Sequence, residues 1–89
     1  MADMLTSIKI LPTNVDVNLE DLKNRIKEAL PPEVRLYKTS EEPIAFGLTA
    51  LITHFIMPES ESGIMTKLEN LLKSMEDVGE IQVINMTRL

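Results

Sequence analysis

Five prolines divide this chain, and their positions limit its fold more than any other feature. A proline lacks the backbone N–H and fixes φ, so it ends helices and keeps to the ends or edges of strands. Pro12 closes a first run, Met4 to Leu11, in which Met4, Ile8 and Ile10 share one face and Lys9 takes the other, the period of a strand. Pro31-Pro32 stops a second run in which Leu19, Leu22, Ile26, Ala29 and Leu30 recur at helical spacing. Asn18 is placed to cap that helix, with Asp21 three residues on as a variant capping box. Thr13 to Val17 reads as the polar loop before it.

A second strand spans Val34 to Thr39, with Val34 and Leu36 on one face and Arg35, Tyr37 and Thr39 on the other. The Glu41-Glu42-Pro43 turn leads to a long apolar run, Ile44 to Met57, bounded by Pro43 and Pro58 and without helical spacing. This predicts a long third strand, apolar on both faces and so central in its sheet or partly covered. An acidic loop follows from Pro58 to Gly63, carrying Glu59, Ser60, Glu61 and Ser62. Ile64, Met65, Leu68, Leu71, Leu72 and Met75 then give the cleanest amphipathic helix in the chain. Gly79 reads as a turn or cap after it. Ile81, Val83, Ile84 and Met86 form a last strand that runs up to the terminal Arg88-Leu89. The order strand-helix-strand, strand-helix-strand predicts an α+β, ferredoxin-like βαββαβ sandwich, a four-stranded antiparallel sheet with two helices on one face. The other face of the sheet stays open.

With 89 residues the chain is one domain, 1–89, and with only three aromatics its core must be aliphatic, helped by six gap-filling methionines. The absence of cysteine removes disulfides, thiolate metal sites and a cysteine nucleophile, and fits a cytoplasmic location. The opening Met1-Ala2-Asp3 has no signal-peptide pattern, and no stretch approaches the roughly 20 apolar residues of a membrane span. A net charge of −5 argues against general affinity for nucleic acid phosphates.

The pattern also offers little for covalent chemistry. The single histidine, His54, falls in the third strand without a second His or any Cys, which reads as a surface or hydrogen-bonded residue and not as a metal ligand or base. The glycines at 47, 63 and 79 are too far apart for a phosphate loop. Adjacent carboxylates at Glu41-Glu42 and Glu76-Asp77 point apart in an extended chain, so they read as solvated loop charge. RNA-recognition modules of this fold carry stacking rings and a basic residue on the third strand. Ile44 to Leu51 matches that pattern only at Phe46-Gly47. No cofactor or metal site is expected.

Two positions stand apart from this background. Phe46 is either a core or sheet-face aromatic or an exposed anchor for a partner's pocket, presented after a turn at a strand's start. Gly47 beside it lacks a side chain where a strand would have one, which suits close approach of another backbone or a partner. Pro43 biases Glu42 toward extended geometry and reads as the entrance to that strand. Arg88 is either a solvated tail charge or a cation held at a defined end of the sheet by the last strand.

The stretch Glu41-Glu42-Pro43-Ile44-Ala45-Phe46-Gly47-Leu48, the order of elements and the end on Arg88-Leu89 resemble archaeal translation elongation factor 1-beta over essentially the whole chain. That family is similar to the C-terminal exchange domain of the eukaryotic factor. The resemblance implies a guanine nucleotide exchange domain that releases GDP from elongation factor 1-alpha, the GTPase that delivers aminoacyl-tRNA, by protein contact and without covalent chemistry. It implies that Phe46, with Gly47, Pro43 and Leu89 around the contacts, binds the partner. It further implies that Arg88 takes the place of a lysine that disturbs the partner's magnesium and phosphate site. Neither nucleic acid nor membrane is expected as a direct partner. The other reading is a ferredoxin-like module that binds a small ligand or assembles through its open sheet face.

Overall fold

The computed structural model describes residues 3–58 and 63–89, so the acidic loop read at residues 59–62 lies outside the described residues. The elements run β1 (Asp3–Pro12), α1 (Leu19–Ala29), β2 (Arg35–Pro43), β3 (Thr49–Pro58), α2 (Ile64–Ser74) and β4 (Val78–Arg88). The sheet has the order β2-β3-β1-β4 with every pair antiparallel, which is the ferredoxin-like α+β sandwich expected from the sequence.

Alternation within the strands decides which face is covered. Ile8 and Ile10 of β1 stand opposite Thr53 and Leu51 of β3, and all four are buried beneath Leu22 and Ile26 of α1 and Leu68 and Leu72 of α2. Both helices therefore cover one face, and the intervening residues Leu5, Ser7 and Lys9 belong to the open one. Phe55, fully buried, is the one aromatic in an otherwise aliphatic core. Thr53 is tolerated there because its hydroxyl donates to the Ile8 carbonyl at 2.9 Å. On the open face the Ser7 hydroxyl and His54 Nδ1 are hydrogen-bonded at 2.7 Å, the satisfied role expected of this histidine.

The Asn18 side chain accepts from the Asp21 N–H at 3.0 Å, capping α1. Leu30 is already extended, as the residue before a proline must be. Arg25 of α1 reaches across to the turn before β4, pairing with Asp77 at 2.8 Å and donating to the Glu76 carbonyl at 3.3 Å.

Three local expectations are corrected. The residues Glu41-Glu42-Pro43 are not a turn but the end of β2, with Pro43 opposite Thr49. Pro43 is tolerated there because β2 is an edge strand. β3 correspondingly begins at Thr49 and not at Ile44, and the turn lies between. After α2, the left-handed turn residue is Asp77, at φ 75°, and Gly79 sits inside β4. A Cβ at Gly79 would come within 3.3 Å of the backbone carbonyls of Leu11 and Pro12, where the β1–β4 register shifts. Close packing, not a turn, explains that glycine.

Candidate functional site

The β2–β3 connection is a tight turn made from apolar residues. The Leu48 N–H donates to the Ala45 carbonyl at 3.1 Å, and the Ile44 N–H to the Leu48 carbonyl at 2.9 Å. The two central residues, Phe46 and Gly47, both have positive φ, 58° and 79°. Two consecutive positive φ values mark the hairpin turn whose twist matches the flanking strands, and such turns normally take Asn, Asp or Gly. A phenylalanine there is held against its backbone preference. The residue is 96% exposed, so burial returns almost nothing for that strain. Phe46 is thus no core or sheet-face residue. Gly47 is also reinterpreted: a Cβ there would meet only Val15 Cγ1, at an ordinary 3.7 Å, so the position needs glycine for its φ and not for close approach.

Val15 and Ile44 are exposed apolar residues of the same end, which sequence periodicity did not single out because both lie outside any regular element. Beside the turn a cavity of about 320 Å³ is lined by Val15, Val17, Leu19, Glu20, Glu41 and Gly47, among others. The two carboxylates of the Glu41-Glu42 pair have different settings. Glu41 lines this cavity, whereas Glu42 pairs with Lys9 at 3.1 Å.

Arg88 and Leu89 lie at the opposite end. Arg88 is the last residue of β4 and stands opposite Met4, and the Leu89 N–H donates to the Asp3 carbonyl at 2.9 Å. Leu89 is therefore tied to the start of β1. Met4 also faces Met57 of β3, so the Arg88 level and the Thr49 level are eight residues of β3 apart. That is roughly 26 Å at the rise of a strand, along a molecule whose longest extent is 42 Å. The structure thus groups Pro43, Phe46 and Gly47 at one end and Arg88 and Leu89 at the other. Exposed Val83, Ile84 and Met86 of the edge strand β4 lead toward Arg88. Among the described residues no group of three or more metal-binding side chains converges. No described helix is long and apolar enough to cross a membrane.

The small sandwich thus carries a strained, solvent-exposed aromatic at one end and Arg88, on a paired strand end, at the other. The chain matches the EF-1 guanine nucleotide exchange domain over residues 5–89 and belongs to that family. It is 44% identical to elongation factor 1-beta of Sulfolobus acidocaldarius over 87 residues, covering 98% of this chain and 97% of that one. It is 42% identical to elongation factor 1-beta of Desulfurococcus amylolyticus, covering 100% and 99% of the two chains. Identity to elongation factor 1-beta of Saccharolobus islandicus is 39%, covering 100% and 98%. The role is that of a translation elongation factor.

Proposed function

We propose that this protein promotes release of GDP from elongation factor 1-alpha, with Phe46 as an anchor in a pocket of the GTPase and Arg88 as the cation directed at its magnesium and phosphate site. The observation that carries the reading is the Phe46 turn. A nearly fully exposed ring in a left-handed backbone conformation is disfavoured in the isolated protein, so a partner's pocket is the natural place for its compensation. Pro43, paired with Thr49, ends the strand that leads into that turn, Gly47 supplies one of its two positive φ values, and the Leu89 N–H ties the strand end that carries Arg88 to Asp3.

The chemistry is electrostatic. A GTPase holds GDP partly through magnesium and fixed cations on the phosphates. A guanidinium brought there on a pinned strand competes with the metal without transferring any group. Because binding is reciprocal, tighter binding to the nucleotide-free form weakens nucleotide binding by the same factor. The separation of the two contacts, roughly 26 Å along the strands, means that they fall on well-separated parts of the partner. The work is done in the cytoplasm, where the GTPase meets the ribosome.

The test is release of labelled GDP from purified elongation factor 1-alpha of the same source. Catalytic amounts of this protein accelerate it, and Arg88→Ala slows it while leaving the melting temperature near that of the parent. Arg88→Lys retains most of the activity if charge is the operative property. No acceleration with a folded cognate partner overturns the proposal.

A further inference from the structure

The walls of the cavity beside the Phe46 turn come from the β1–α1 loop, the first turn of α1, the end of β2 and the start of β3. Strand register fixes which side chains face it. Glu41 stands opposite Leu51, which is buried beneath the helices, so the Glu41 side chain belongs to the helix-covered side of β2. Its neighbour Glu42 alternates to the open side, where Lys9 holds it. Val17 and Leu19 reach the cavity from the loop and from α1, both packed against the core.

Among the described residues the charged lining is Glu20 and Glu41, both carboxylates. Glu20 is already engaged by Lys23 at 3.1 Å, whereas no described cation lies within ion-pair distance of Glu41. A helix start ordinarily invites an anion. Here Asn18 takes up the Asp21 N–H and the two carboxylates repel one. Val15, Val17 and Leu19 supply apolar wall instead. An apolar wall that ends at an unpaired carboxylate suits a long cationic side chain, whose methylenes lie along the wall while its head reaches the charge. The place is also continuous with the Phe46 contact. A partner that takes up the Phe46 ring covers Gly47 and exposed Val15, which line the same cavity.

We propose that this cavity receives a lysine or arginine side chain of the GTPase, with Glu41 as its counter-charge. The inference rests on the exchange reading for the identity of the partner and adds a contact in the reverse direction. The partner's pocket takes Phe46, and this cavity takes the partner's cation. Of the adjacent carboxylates only Glu41 then meets the partner, because alternation along β2 turns Glu42 to the open face.

Titration against nucleotide-free elongation factor 1-alpha at low and high salt tests the proposal. Glu41→Gln weakens binding at least about tenfold, and Glu41→Lys weakens it further because a like charge then faces the partner's cation. Asp16→Asn removes the same charge from a loop position outside the cavity lining and leaves the dissociation constant within about threefold. Glu41 and Asp16 are exposed and make no ion pair, so the variants keep the fold, and an unchanged melting temperature verifies it. Lysine acetylation and arginine modification by phenylglyoxal, read on the GTPase by mass spectrometry, identify the occupant. One basic side chain is protected by saturating parent protein and becomes reactive again in the complex with Glu41→Lys. The proposal is overturned if Glu41→Gln binds as the parent does, if Asp16→Asn costs as much as Glu41→Gln, or if Glu41→Lys protects the same basic residues as the parent. A parent that neither binds the GTPase nor accelerates GDP release overturns the exchange reading and this contact with it. A parent that does both, with Glu41→Gln its equal, overturns the contact alone.

Discussion

On the proposed reading Phe46 sets protein stability against partner binding at a single residue. Its φ of 58° is one that asparagine adopts with less strain, and its exposed ring makes no core contribution to lose. Phe46→Asn should therefore raise stability by about 1 kcal/mol, read from the urea midpoint at unchanged slope. The same change should weaken partner binding by about 2 kcal/mol or more, the loss of an aromatic hot spot, read by titration against nucleotide-free elongation factor 1-alpha. A stabilised variant that binds as well as the parent would remove the anchor role and leave the strain without purpose. Gly47→Ala tests the neighbouring position: with open space but a φ of 79°, it should destabilise by about 1 kcal/mol from backbone strain alone. The sequence left Phe46 open between a core or sheet-face position and an exposed anchor after a turn. It did not decide between them, because an aromatic in an apolar run bounded by prolines has the same pattern whether the run is one strand or a turn followed by a strand.

At the level of elements, the two helices were readable because a repeat at 3.6 residues, a cap at Asn18 and a Pro-Pro stop all agree. The β2–β3 boundary was not, since a hairpin is usually announced by a polar turn pair and this one is built from Ala45, Phe46 and Gly47. β4 was underestimated at its start for a related reason. Gly79 resembles punctuation, yet it lies in the strand because the β1 backbone approaches too closely for a side chain. The neighbours are main-chain carbonyls that cannot rotate away, so Gly79→Ala should destabilise by about 1–3 kcal/mol. Hydrogen exchange should then speed up first where β1 and β4 meet near Pro12, and uniform acceleration across the sheet would contradict this local account. In the core, Leu68 is fully buried between α2 and the sheet, and Leu68→Ala should lose about 2–5 kcal/mol in thermal or urea unfolding.

On the proposed reading the whole molecule is a rigid spacer between two contacts. Four paired strands and a shared core fix the distance between the Phe46 turn and the Arg88 end, and the hydrogen bond from Leu89 to Asp3 ties the second contact to the same sheet. Neither side chain touches the other, and they lie roughly 26 Å apart along the strands. Substitutions separated by more than about 10 Å without shared partners add within about 0.5 kcal/mol. The effects of Phe46→Ala and Arg88→Ala on partner binding should therefore add as free energies in the double variant. Their effects on GDP release should differ in kind. Loss of the anchor lowers the concentration dependence, and saturating protein restores the rate. Loss of the cation lowers the maximal rate, and no concentration restores it. A double variant that binds no worse than the weaker single variant would mean that the two ends act as one unit through the sheet. Recovery of the Arg88→Ala maximal rate at high concentration would reduce Arg88 to a second anchor and move the exchange chemistry elsewhere on this surface.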